Sequence, residues 1–154
     1  MSLPGAPART YCVVESGTVR IAGGAKLQSG DAQLYNVDDN SAVVLARDDR
    51  GLFAVSAICT HMCCLLTLCN DPTCAKPRTN PGDCHSSTVV QASMTGLALV
   101  CPCHGSTFRL DGTVLNGPML TTGASTPLPH YAVAVQGDDA IVSIGDMVAM
   151  DVRT

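Results

Sequence analysis

Two short segments, Cys59-Thr60-His61-Met62-Cys63-Cys64 and Cys101-Pro102-Cys103-His104-Gly105-Ser106-Thr107-Phe108, constrain this chain more than any other feature. Each offers one Cys and one His close enough in sequence to grip a metal from a single loop. Each follows an apolar run, ending Ala57-Ile58 in the first case and Leu99-Val100 in the second. Taken singly, a Cys is an ordinary small buried hydrophobe and a His an ordinary hydrogen-bonded residue. Two Cys/His loops, both placed at strand ends, point instead to an iron–sulfur or zinc site.

The surrounding sequence alternates at strand period and shows almost no helical periodicity. Thr18-Val19-Arg20-Ile21-Ala22 ends at Gly23-Gly24, and Ala32-Gln33-Leu34-Tyr35-Asn36-Val37 ends at Asp38-Asp39-Asn40. Strands over 41–47 and 51–58 flank Asp48-Asp49-Arg50, which reads as a hairpin. Strands over 107–110 and 113–115 flank Asp111-Gly112, a tight-turn signal, and strands over 131–136 and 140–144 flank Gly137-Asp138-Asp139. The expected fold is all-β, an antiparallel sandwich or barrel, in one domain spanning 1–154. Aromatic residues make up only 3%, so the core is expected to rest on Val, Ala, Leu and Ile. One segment departs from the pattern. Between 65 and 87 lie three Cys, three Pro and a polar run, expected to form a long irregular loop pinned by its cysteines.

Composition excludes some functions. The formal net charge is −4 and no Lys/Arg cluster stands out, which argues against nucleic-acid binding. No apolar stretch is long enough for a membrane-spanning helix, and the opening MSLPGAPART lacks the parts of an export signal. Membrane association is expected only through an anchor missing from this sequence or through a partner subunit.

The two segments resemble the Rieske family, and specifically its high-potential branch, whose pattern is C-x-H-x-x-C followed by C-x-C-H-x-S. Cys59, His61 and Cys64 match the first half; Cys101, Cys103, His104 and Ser106 match the second. The resemblance implies a Rieske-type β fold in which 58–108 forms a small cluster-binding subdomain of two loops. It implies one [2Fe–2S] cluster per chain, with Cys59 and Cys101 on one iron and His61 and His104 on the other. Neutral imidazoles stabilise the oxidised form less than thiolates do, so reduction is easier than in an all-Cys cluster. The resemblance also implies that electron uptake is coupled to protonation of the exposed ring nitrogens.

By the same resemblance, Cys64 and Cys103 form a disulfide that clamps the two loops, and Ser106 donates a hydrogen bond to a bridging sulfide, raising the potential. Phe108 stands where quinol-oxidising members usually carry Tyr, whose hydroxyl bonds a ligand sulfur; the potential is expected below the top of the range. Asn116-Gly117-Pro118-Met119 resembles the loop covering the cluster's third side. Cys12, Cys63, Cys69, Cys74 and Cys84 remain unassigned. A disulfide stapling the long loop is favoured over a second metal site with His85, and the pairing stays open.

The function implied is one-electron transfer, as part of a quinol-oxidising cytochrome bc-type complex, with a cytochrome or oxidase subunit as redox partner and quinol as a candidate donor. A Rieske subunit of a molybdenum oxidase such as arsenite oxidase is the alternative. A structural Cys2His2 zinc domain is a third, which leaves Cys103, Ser106 and the clamp unexplained. The implied disulfide leads to an expected location on the periplasmic or exoplasmic face of a membrane, with the cytoplasm left open because this sequence carries no export signal.

Overall fold

The computed structural model describes residues 16–38, 41–60, 65–69, 98–101, 107–116 and 127–154. They form ten strands: β1 (Gly17–Ile21), β2 (Ala32–Asp38), β3 (Ser41–Asp48), β4 (Gly51–Ser56), β5 (Thr67–Cys69), β6 (Ala98–Val100), β7 (Thr107–Phe108), β8 (Val114–Asn116), β9 (His130–Gln136) and β10 (Asp139–Val148). A six-stranded sheet runs in the order β1-β10-β9-β4-β3-β2, and a four-stranded sheet runs β5-β6-β7-β8. Every pairing is antiparallel.

The apolar pattern explains the layering. β3 is buried from Ser41 through Ala46 without alternation, which a strand covered on one face cannot be. Its side chains divide by parity. Val43 and Leu45 join Ile21, Leu52, Ala54, Tyr131, Ala140, Val142 and Ile144 in a core that all six strands of the large sheet reach, counting the partly buried Tyr35 and Val37 of β2. Ala42, Val44 and Ala46 face the other way, into a second core with Phe53, Val55, Cys59, Leu66, Leu99, Cys101, Phe108 and Leu128. One face of the large sheet thus encloses its own core and the other is the bed for the small sheet. Both Phe residues of the chain are buried in this second core, so it is not purely aliphatic as composition led one to expect.

Three predicted hairpins are present. The 48–50 turn is closed by Asp48 Oδ1, which accepts from the Arg50 N–H at 3.0 Å. The β9–β10 turn narrows to Gly137-Asp138, with Gly137 at φ 62. β10 runs past residue 144 to Val148 because a register shift between Ser143 and Met147 lets Gly145, at φ 86, bend the strand without breaking it.

The long irregular loop needs correction at its start. Leu65 pairs with Ile58, and Thr67–Cys69 form β5 against β6. The run Leu65-Leu66-Thr67-Leu68-Cys69 buries Leu65, Leu66 and Cys69, which makes it a strand rather than a loop. The C-terminal residues also add to the large sheet: Thr154 exchanges backbone hydrogen bonds with Leu52 at 2.8 and 2.9 Å. Arg153, whose guanidinium lies 4.3 Å from the Phe53 ring centre, bonds Asp48 and holds its carboxyl below the ordinary carboxylate range.

Candidate metal centre

β4 leaves the large sheet at Ser56 and passes directly into the first cysteine segment. The Ala57 N–H donates to the Ala42 carbonyl at 2.8 Å, and the Leu66 N–H returns to the Ala57 carbonyl at 2.9 Å. With the Ile58–Leu65 bridge, these bonds fix both ends of the segment 59–64, whose first residue is Cys59. The second segment repeats the device. Val100 pairs with Thr107, fixing both ends of a segment of the same length, 101–106, whose first residue is Cys101.

Strand direction brings ends of the two segments together. Thr67 of β5 is opposite Val100 of β6, and Val100 is opposite Thr107 of β7. The start of β5, the end of β6 and the start of β7 therefore share one end of the small sheet, where 59–64 ends and 101–106 both begins and ends. Cys59 and Cys101 are 0% and 1% exposed, sit in the same apolar core, and neither takes part in a disulfide. Phe108, fully buried, belongs to that core as well.

As thiolates, two neighbouring cysteine sulfurs are metal ligands. Two such sulfur donors, leading two segments bounded at one sheet end, fit a metal group that binds both. The remaining predicted site residues His61, Cys64, Cys103, His104 and Ser106 lie outside the described residues, as do Cys12, Cys63, Cys74, Cys84, His85 and 117–119. Among the described residues no group of three or more His, Cys, Asp or Glu could hold a metal ion. Cys69, buried at the end of β5, is disulfide-bonded.

The opposite end of the small sheet is docked to the large one. At the β7–β8 turn, the Leu128 N–H donates to the Gly112 carbonyl at 2.9 Å, and Gly112 has φ 91. A Cβ on Gly112 would stand 2.8 Å from the Leu128 carbonyl oxygen, so only glycine fits. His130 Nε2 lies 2.6 Å from the Asp111 carbonyl oxygen, across the same junction. Sequence reasoning read Asp111-Gly112 as a turn alone and passed over His130. No local signal marks either as a docking contact, because the partners are remote in sequence.

A family model for the Rieske [2Fe–2S] domain matches residues 17–132. The cytochrome b6-f complex iron–sulfur subunit of Chlorobaculum thiosulfatiphilum is 27% identical over 89% of this chain and 58% of its own length. That of Prochlorococcus marinus strain MIT 9515 is 28% identical over 84% of this chain and 57% of its own. The chain thus spans less than two thirds of these curated relatives. Among solved structures, the ferredoxin of carbazole 1,9a-dioxygenase from Nocardioides aromaticivorans IC177 matches with a TM-score of 0.43 and 22% identity, over 83% of this chain and 98% of that one.

Proposed function

The chain belongs to the Rieske [2Fe–2S] domain family and its cofactor is a [2Fe–2S] cluster; from that premise we propose that Cys59, His61, Cys101 and His104 hold the cluster and that the protein relays single electrons within a quinol-oxidising, cytochrome bc-type complex. The observation that carries the ligand assignment is that 59–64 and 101–106, segments of equal length, are each bounded by a β pairing and led by a buried cysteine, with bounding residues at one end of the small sheet. When bound, the cluster supplies a one-electron couple whose potential follows its ligands, hydrogen bonds and burial.

The chain's own residues set those terms. Cys59 and Cys101 supply the thiolates from inside an apolar core that keeps water from the sulfur side. His61 and His104 complete the set and hold exchangeable protons at their outer ring nitrogens. Cys64 and Cys103 clamp the loops, and Ser106 donates a hydrogen bond toward the cluster. The assembly is supported by the b6-f subunits among the relatives, and redox partner proteins are implied by the family's work. The Cys69 disulfide supports an oxidising compartment, on the outer face of a membrane.

The test is elemental and spectroscopic. Purified protein should be red-brown, with equal iron and acid-labile sulfide, and EPR-active when reduced. His61→Cys and His104→Cys should each keep a cluster but lower its potential, since thiolate replaces imidazole. Zinc in place of iron, or potentials unmoved by these substitutions, would overturn the ligand assignment. Oxidation of a quinol analogue only in the presence of cytochrome subunits tests the assembly.

A further inference from the structure

His130 is the one histidine among the described residues, and it is not at the cysteine end of the small sheet. It is 2% exposed on β9, in register with Val55 of β4 and Val148 of β10. Its Nε2 is 2.6 Å from the Asp111 carbonyl oxygen. A carbonyl only accepts, so Nε2 carries the proton and donates. Nδ1 is then the unprotonated nitrogen, and it is buried with no hydrogen-bond partner among the described residues. The ring stacks on Phe53 at 5.6 Å between centres, and the Arg153 guanidinium lies against that same Phe53.

From this geometry we infer that His130 is a pH-sensitive latch that fastens the sheet bearing the cysteine loops to the six-stranded sheet, closed while the imidazole is neutral and released when it is protonated. The closed state needs only one donor, Nε2–H, and one acceptor, the Asp111 carbonyl. Protonation places an N–H at Nδ1 where nothing described accepts it and adds a cation to a buried site. The charged neighbours act in both directions. Arg153 opposes protonation, while Asp111 favours it through both its carbonyl and its charge; Asp48 is engaged by Arg153. Tyr131, the next residue, stays a neutral phenol because burial pushes its titration up. Burial dominates at His130 and holds the imidazole below its ordinary range.

The sign follows from proton binding. With the folded-state value lowered, the unfolded chain binds more protons below pH ~6.5, so stability falls as pH falls through that value. The loss continues until the folded-state value is reached. That the latched sheet is the cluster-bearing one rests on the ligand assignment above; the latch itself does not.

The experiment uses the oxidised holoprotein and the variant His130→Gln, which keeps a donor near the Nε2 position but does not titrate. Urea unfolding is followed from pH 8 to pH 5 by far-UV circular dichroism, and cluster release by visible absorption. Relative to His130→Gln, the wild-type unfolding constant should rise by up to about tenfold per pH unit below pH ~6.5, and cluster release should accelerate over the same window. His130→Phe, which keeps the stack but lacks the donor, should release the cluster faster than His130→Gln already at pH 8. Should these variants fail to fold, nitrogen-15 NMR of the wild-type histidines decides: a signal for an Nε2-protonated ring with no titration down to pH 6 supports the latch. Parallel pH profiles, or a His130 ring that titrates near pH 6.5, would overturn it. Loss of iron at every pH in all variants would instead count against the ligand assignment.

Discussion

Among the described residues, the strands of the six-stranded sheet run from five residues in β1 to ten in β10, and those of the four-stranded sheet cover two or three each. The large sheet has length enough to bury Ile21, Val43, Leu45, Leu52, Ala140 and Val142 on its own account. The small sheet, among its described residues, has no such core of its own: Leu99, Phe108 and Val114 belong to the one it shares with the large sheet. It lies instead on Ala42, Val44, Ala46, Phe53 and Val55 of the large sheet, pinned at one end by Gly112 and His130. The lesson is a division of labour. Rigidity is generated in one sheet and lent to the other, whose β6 ends directly at the buried Cys101.

Replacing either proposed thiolate should part the two regions most sharply. Cys59→Ser and Cys101→Ser are expected to abolish the cluster, read as complete loss of visible absorption and bound iron. The six-stranded sheet should keep its far-UV signal and cooperative unfolding, since neither cysteine reaches its enclosed core. Collapse of both signals together would mean the sheets fold as one inseparable unit.

Leu45→Ala attacks the lender. Leu45 is fully buried in the enclosed core, and the truncation should cost about 2–5 kcal/mol in urea denaturation. Because the described residues of the small sheet pack on the large one, cluster bleaching should shift to lower urea by the same amount. Gly112→Ala reverses the emphasis. The added methyl meets the Leu128 carbonyl oxygen at 2.8 Å, in a backbone conformation with φ 91 that L residues avoid. We expect a cost of about 1–3 kcal/mol, falling mainly on cluster retention, so that bleaching precedes unfolding of the large sheet. Coincident transitions would show that the docking turn is not where the sheets separate.

Phe108→Tyr is the finest probe. Phe108 is fully buried in the core that holds Cys59 and Cys101, opposite Leu99 in the ladder. A phenol there that donates to a ligand sulfur favours the reduced cluster. On the order of 1 kcal/mol of preference corresponds to a rise of roughly 40 mV in a one-electron potential. Ser106→Ala should lower the potential, and neither change should alter iron content. Voltammetry on both variants checks this; an unchanged or lower potential in Phe108→Tyr would place the ring away from the ligand sulfurs.

The sequence alone determined what depends on neighbours along the chain. Hairpin turns at Asp48-Asp49-Arg50 and Gly137-Asp138 are encoded by side chains that bond their own backbone or allow positive φ. The spacing within each Cys/His segment is likewise local, which is why the family and its cofactor were legible before any fold was known. What the tertiary structure decided depends on partners remote in sequence. Leu65 to Cys69 looked like the start of an irregular loop because β5 is a strand only when β6, some thirty residues on, lies beside it. Gly112 and His130 carry no mark of docking until Leu128 and Asp111 are brought against them. The convergence of Cys59 and Cys101 is of the same kind: two Cys/His segments can each be read from sequence, but the packing of the small sheet on the large one is what buries both cysteines in one core.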